Sequence, residues 1–402
     1  MRTAYKCRAY PTSEQIAALS RTFGCVRLVW NMTLDERTRR YRTEKTRTTY
    51  RETDATLTEW KRSDELAFLS EVSCVPLQQT LRHQHTAFQN YFSGRARYPR
   101  FKSRTGRQSA HYTRSAFRMR GGLLVLAKTS SPLRFAWSFD DVDVTELSPT
   151  MVIVSRESDG RWYVSFAVDV PKPDSVAATT REIGVDLGLK DFLVTSDGDR
   201  VANPRLLARR ARNLSRHQRR LARCLRGSNN RLKAKAKVAR AHRKVRNARR
   251  DFLHRTSTAL VRSSGTIVIE DLNVAGMVRN RRLSLAISDV GWGEFRRQLQ
   301  YKCERADRTL IVVDRWYPSS RTCSACGHLL ATLELSTRHW TCPGCRTRHD
   351  RDLNAAKNIL AAGRAVARGG SGDACGADVR RQGEPLPRSA MKQEAHAVRS
   401  GS

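Results

Sequence analysis

The spacing of apolar residues changes period several times along the chain, and each change marks a different kind of element. A short strand-like opening, YKCRAY, runs into PTSEQIAALSRTFGCVRLVWNMTL, where apolar positions recur at helical intervals. Thr12 and Gln15 make a capping box there, so a helix should begin near Thr12. Two more helical stretches follow, around residues 56–69 and, after Pro76, 77–92. From about residue 111 to 170 the pattern shifts to short runs, LLVLA, LRFAW, MVIVS and WYVSFAVDV, divided by Gly, Pro, Ser and Asp. These patterns predict a β-barrel interrupted by a helical module.

The segment PKPDSVAATT reads as a linker, and a second domain starts at about Arg181. Its strands are EIGVDLG, DFLVTS, DRVAN, TIVIE and TLIVVD, with a helix expected over 293–306 and another over 351–362. Strand, strand, strand, helices, strand, helix, strand, helix is the order of an RNase H-like fold. The tail, residues 365–402, has no apolar period and should be disordered.

Three acids then become conspicuous: Asp186 in IGVDLGLKDF, Glu270 in TIVIEDLNVAGM and Asp352 in HDRDLNAAKNIL. A carboxylate that closes an apolar run is costly to bury unless it is paired or changes its proton affinity. Divalent cations solve that problem, since Mg²⁺ prefers hard oxygen ligands. Two such ions roughly 4 Å apart activate water and stabilise the leaving oxygen in phosphodiester hydrolysis. The strand order brings the three acids to one sheet edge. Taken alone, Asp352 would read as a residue complementing a helix start. Asp271, Asp314 and Asp350 are alternatives, although Asp271 should face away from Glu270 within a strand.

Cys323-Ser-Ala-Cys326 and Cys342-Pro-Gly-Cys345 stand fifteen residues apart. That is the spacing of a tetrahedral Cys₄ zinc ribbon, whose closed Zn²⁺ is structural. With four thiolates available, His328, His339 and His349 read as exposed polar residues. The other six cysteines are scattered singly, which suits a reducing compartment.

Charge narrows the partner. Among 402 residues, 75 Lys and Arg oppose 38 Asp and Glu, leaving +37, a surface suited to a polyanion. Residues 205–255 hold twenty basic residues and one acid, and apolar positions there recur at seven-residue steps around a GSNN turn. A basic helical hairpin that binds phosphates is expected. Tyr98-Pro-Arg100-Phe101-Lys102-Ser-Arg104 interleaves rings with cations, as a nucleotide-stacking segment or a loop anchor would. His83-Gln84-His85 reads as a solvated helix face. No stretch approaches the roughly 18 apolar residues of a membrane span, so a cytoplasmic protein is expected.

At these residues the chain resembles the TnpB family of transposon-encoded, RNA-guided nucleases, relatives of the type V CRISPR effectors. The likeness spans YKCRAYPTSEQ, FGCVRLVWN, YPRFKS, GVDLGLKDFLVTSDG, GSNNR, DFLHR, IVIEDLNVAGM, AISDVGWGEFRRQL, YPSSRTCSACG, CPGC and HDRDLNAAKNIL. It implies an α/β and β multidomain fold. A wedge-type β-barrel (1–11 and 96–173) would carry a helical recognition module (12–95). An RNase H-like RuvC nuclease domain (181–318 and 347–364) would carry an inserted Cys₄ zinc ribbon (319–346). The resemblance also implies that Asp186, Glu270 and Asp352 hold Mg²⁺, two ions in all, and cut double-stranded DNA beside a short flanking motif. A guide RNA from the transposon end would supply sequence specificity, which explains a large charge without a base-reading helix. By similarity Tyr50, Gln78 and Thr113 are the residues that would read the motif. A monomer is expected. One departure is visible: the family usually has Gly after the last cysteine, where this chain has Arg346, so that turn should be strained.

Three rival readings compete. A DDE transposase shares the RNase H-like fold, but its glutamate sits on the late helix, whereas here that helix carries Asp352. A catalytically silent RNA-guided regulator should have lost at least one acid, and a transposase accessory or plain zinc-ribbon factor leaves the acids unexplained.

Overall fold

The computed structural model describes residues 2–139, 142–170, 179–334 and 336–369; most of the expected linker and the tail from residue 370 lie outside them. The chain divides into two compact units, residues 1–173 with 212–244, and residues 174–211 with 245–402.

In the first unit, strand β1 (Arg2–Ala9) leads to helix α1 (Ser13–Glu44), with Thr12 as N-cap and both halves of the capping box formed with Gln15. Helix α2 (Tyr50–Arg62) starts earlier than its apolar period suggests, because Thr49 and Glu52 build a second capping box. Residues 64–70 are a 3₁₀ segment and not its continuation. Helix α3 (Cys74–Phe92) packs with α1 and α2 around Val29, Leu57, Leu69, Leu77 and Leu81.

The strands of this unit are β2 (Gln108–Thr113), β3 (Phe117–Arg120), β4 (Leu123–Leu126), β5 (Phe135–Ala136), β6 (Met151–Arg156) and β7 (Trp162–Asp169). They form an antiparallel sheet in the order β2-β6-β7-β1-β5 and a separate β3-β4 hairpin. A bridge between Leu124 and Leu133 ties the hairpin to the run entering β5. Among the described residues no ladder joins β2 to β5, so the element expected as a barrel is seen as an open sheet with an added hairpin. Strand β7 alternates buried and half-buried positions, and its inward Val164, Phe166 and Val168 join the core of Tyr5, Cys7 and Val152. Polar residues in QSAHYT and FRMR hid β2 and β3 from the apolar pattern.

The second unit is built on β8 (Glu182–Leu187), β9 (Asp191–Thr195), β10 (Arg200–Ala202), β11 (Thr266–Glu270) and β12 (Thr309–Val313), in the order β10-β9-β8-β11-β12. Strands β8, β11 and β12 run parallel, and β9 and β10 are antiparallel to their neighbours. This is the strand order of the RNase H-like pattern. Between β10 and β11 the chain forms two basic helices, α4 (Ala211–Ala222) and α5 (Asn229–Ser263), of which residues 212–244 belong to the first unit. Short helices α6 (Val274–Met277) and α7 (Ser284–Val290) precede α8 (Trp292–Ala306). One face of the sheet is covered by Leu253, Leu260, Phe295 and Leu299 of α5 and α8, around Phe192.

Helix α9 covers the other face, where Ile359 meets Val268 and Val313. It spans Arg351–Ala367, five residues beyond the expected end, so residues 365–367 are helical and not disordered. Packing explains the extension. A Cβ on Gly363 would come 2.5 Å from the Val268 side chain, so α9 lies tight on the sheet through that turn. The small ribbon strands β13 (His339–Thr341) and β14 (Arg348–Asp350) form an antiparallel pair ahead of α9.

Candidate active site and metal centre

Sheet register places two of the three acids. Strands β8 and β11 pair in parallel from Glu182–Thr266 to Val185–Ile269, so the next residues, Asp186 and Glu270, are neighbours on one face. That face is the one under α9, because Gly184 and Val268, two residues back on each strand, both meet it.

Helix α9 delivers the third. A Cβ on Gly184 would lie 2.1 Å from the Ala356 carbonyl oxygen, so only glycine allows the helix this close. Asp352 is one turn before Ala356 on the same helix face, as Asp186 is two residues beyond Gly184 on the same strand face. Further along, Arg364 donates to Glu182 at 2.6 Å, fixing the helix antiparallel to β8.

The electrostatics record the gathering. Burial, then Asp352, then Glu270 push the Asp186 carboxyl up to about 7, against the opposing pull of Arg351 and Arg338. Glu270 is also raised to about 7, by burial and by Asp271 and Asp314. Arg338 stands 3.6 Å from the Asp352 carboxylate.

The alternative acids are otherwise employed. Asp350 is the true N-cap of α9, accepting from the Leu353 N–H at 3.0 Å, and it pairs with Arg200 at 2.8 Å. Asp352 is thereby released from the capping role its position suggested. Asp271, one residue beyond the end of β11, is clamped by Arg296 and Arg315. Burial works against its charge, but the two guanidinium groups hold it below the usual carboxylate range. Asp314 accepts from the Trp316 N–H at 2.8 Å.

The four cysteines form a tighter cluster. Among the described residues, Cys323, Cys326, Cys342 and Cys345 are the group of possible ligands whose binding atoms all lie within 4.8 Å of one another. The two knuckles repeat one backbone pattern. Gly327 N–H donates to the Cys323 carbonyl and Arg346 N–H to the Cys342 carbonyl, both at 2.9 Å. Gly327 has φ 78° and Arg346 has φ 59°, so the arginine does occupy the left-handed turn that glycine suits. Four thiolates fit a soft or borderline cation such as Zn²⁺.

His349 corrects the sequence reading. It is 7% exposed, stacks near Trp340 and places Nε2 3.0 Å from the Cys323 sulfur, so it is packed against the thiolates instead of standing in solvent. Asn354 and Asn358 were also missed. They project from α9 one turn apart and donate to the Thr322 carbonyl at 2.7 and 2.6 Å, tying the first knuckle to the helix that carries Asp352. Buried amides in an otherwise alanine-rich stretch, LNAAKN, were the available signal.

Family models match three stretches: one described as "Probable transposase" over residues 165–281, one as "Cas12f1-like, TNB domain" over 292–359, and one as "Helix-turn-helix domain" over 1–46. A protein of Streptomyces pristinaespiralis is 49% identical over the whole chain and 98% of its own length. One of Escherichia coli K12 is 32% identical over 95% of this chain and 96% of its own. Both carry the name "Putative RNA-guided DNA endonuclease", the second with the suffix InsQ. The chain belongs to the TnpB family.

A solved Cas12f1 chain, from a complex with single guide RNA and target DNA, superposes with a TM-score of 0.53 at 16% identity. The match covers 90% of this chain and 98% of that one, and it supports a shared multidomain fold. In this TnpB-family protein the residues matched as helix-turn-helix form a strand and one unbroken helix, β1 and α1. Among the described residues, no helix is long and apolar enough to cross a membrane.

The individual residues expected to read or stack on nucleic acid, apart from the basic stretch 205–255, lie in the first unit. Tyr50 opens α2, its hydroxyl accepting from Arg82 at 3.3 Å, Gln78 is half-buried on α3, and Thr113 ends β2. The Arg100 carbonyl accepts from the Trp30 indole at 2.9 Å, Lys102 sets its ammonium 3.8 Å from the centre of that ring, and Arg104 is exposed. Tyr98 meets the Thr38 hydroxyl at 2.8 Å, while Phe101 stays 61% exposed. The segment is therefore a loop anchor that leaves one ring and two arginines outward.

Proposed function

We propose that this chain is an RNA-guided DNA endonuclease and that Asp186, Glu270 and Asp352 form its phosphodiester-cleaving centre. The carrying observation is the convergence of three carboxylates on one sheet edge, close enough that two of them raise the third. Three hard oxygen donors and no thiolate fit Mg²⁺, and their mutual repulsion is relieved by a divalent cation. When bound, Mg²⁺ supplies charge neutralisation at the scissile phosphate and lowers the pKa of an attacking water.

The chain's own residues set the stage for that chemistry. Asp186 and Glu270 are fixed by a parallel ladder, and Asp352 by a helix pressed onto glycine, so the acids hold position without ligand. Capping by Asp350 keeps the helix start ordered and leaves the Asp352 carboxylate out of the capping bond. The four cysteines would hold one structural Zn²⁺, and their link to α9 through Asn354 and Asn358 makes the ribbon a brace for the third acid. The acid on the late helix is aspartate, which separates this centre from a DDE transposase.

A guide RNA would supply sequence recognition by base pairing, with the protein holding backbone and shape. The names of both long relatives support this, as does the charge of +37. The test is cleavage of target DNA by the full chain with its co-purifying RNA and Mg²⁺, comparing wild type with Asp186→Ala. Activity should fall about 100-fold or more, the scale for losing one group that stabilises developing charge. Undiminished cutting by folded Asp186→Ala protein would reject the centre.

A further inference from the structure

A second chemistry-bearing place lies in the first unit, apart from any acid. A cavity of about 360 Å³ opens between α1, β2 and the segment after α3. Its walls divide by character. Phe23, Val26 and Ile153 make an apolar side, while Arg27, Lys102 and Arg107 bring three cations, and His111 reaches it from β2.

No carboxylate lines this space, and among the described residues none of the three cations forms an ion pair. Arg27 instead donates to Gln108 at 3.4 Å. The His111 ring lies 4.4 Å from that of His83, and its Nδ1 is buried with no hydrogen-bond partner. Burial, and at His111 nearby positive charge, shows in the proton affinities. Burial, then His83, Lys102 and Arg107 push His111 down to about 4, and burial lowers Lys102 to about 8. Cations held together without counter-charge, beside an unused ring nitrogen, call for an anion carrying polar atoms. The apolar wall calls for something flat and unstacked as well. A nucleotide meets both demands, and the volume is at the lower end of small-molecule sites.

We propose that this cavity receives one unstacked nucleotide of a bound nucleic-acid strand, its phosphate held by Arg27, Lys102 and Arg107 and its base against Phe23, Val26 and Ile153. The chemistry is common to RNA and DNA, so guide and target are both possible sources. The assignment needs nucleic-acid binding only; failure of the acidic centre would leave it standing.

Photo-crosslinking tests it with the full chain. The probes are a single-stranded RNA carrying 4-thiouridine and a single-stranded DNA of matching sequence carrying 4-thiothymidine. Adducts are mapped after trypsin, which releases Thr22–Arg27 and Gln108–Arg114 as separate peptides. We expect adducts on one or both peptides. Ser109→Trp, which fills the cavity from its wall, should reduce them about tenfold while leaving adducts on the α5 peptides, the scale of one lost stacking contact. Arg107→Glu, at an exposed position, should weaken them in the same direction by repelling the phosphate, the β2 peptide of this variant running from Thr105 to Arg114. Adducts with RNA alone assign the pocket to a guide strand and with DNA alone to a target strand; adducts with both make it strand-tolerant. Adducts confined to other peptides, or pocket adducts unchanged in Arg107→Glu, overturn the proposal.

Discussion

Within the second unit, two clusters of potential metal ligands are assembled in opposite ways. The four cysteines meet because two short knuckles each bring a pair together locally, with the same carbonyl-to-amide bonds in both. The three acids meet because a parallel ladder and a helix on glycine join residues 84 and 166 positions after Asp186. Local assembly tolerates a poor residue such as Arg346 in its turn, whereas long-range assembly depends on single positions with no space to spare. The thiolate set suits a soft, closed site, and the carboxylate set a hard cation.

Breaking each cluster should therefore give different losses. Cys323→Ser removes a ligand whose metal binding is folding energy, so zinc content should fall below one per chain and residues 319–346 should become protease-sensitive. Normal zinc stoichiometry by elemental analysis would count against the Cys₄ assignment. Gly184→Ala strikes the other cluster through packing. It should lower unfolding free energy by about 3 kcal/mol and reduce cleavage with zinc content unchanged, as urea titration and metal analysis can record. Equal stability would mean that α9 is not seated as described.

Acidity distinguishes the clusters further. Asp186 and Glu270 have folded-state affinities raised to about 7, above their ordinary carboxylate values. Their contribution to stability is complete at low pH, below the unfolded carboxyl range, and is lost as pH rises through about 7. Thermal melts in a chelator should thus show this loss between about pH 4 and 7 as the acids ionise, and added Mg²⁺ should reverse it; a melt insensitive to Mg²⁺ at pH 8 would contradict the site. The smallest change is Arg346→Gly, which relieves a left-handed φ of 59° and should stabilise the ribbon by about 1 kcal/mol. No gain in ribbon protection by hydrogen exchange would show that the turn carries no strain.

Legibility followed the same division. The Thr12 capping box, the five strands of the second unit and the knuckle spacing could be read because each is a local pattern. Helix α2 begins ahead of its apolar period because Thr49 and Glu52 cap it, and polar residues hide β2, whose partner lies far along the chain, and β3. His349 read as a surface residue because nothing local signals that its ring packs against Trp340 and Cys323. The role of Asp350 was equally invisible: two aspartates two residues apart both suit a helix start, and only the backbone decides which one caps it.

By itself the sequence determined the order of the five strands of the second unit, the excess of positive charge, the four thiolates and the three acids as a set. Periodicity, composition and ligand spacing are properties of short stretches, and they survive without knowledge of neighbours. Tertiary structure alone decided that Gly184 admits α9, that Asp350 and not Asp352 caps it, and that a cationic cavity opens beside His111. Those outcomes depend on which atoms approach within a few ångströms across long chain separations, and no local pattern encodes that distance.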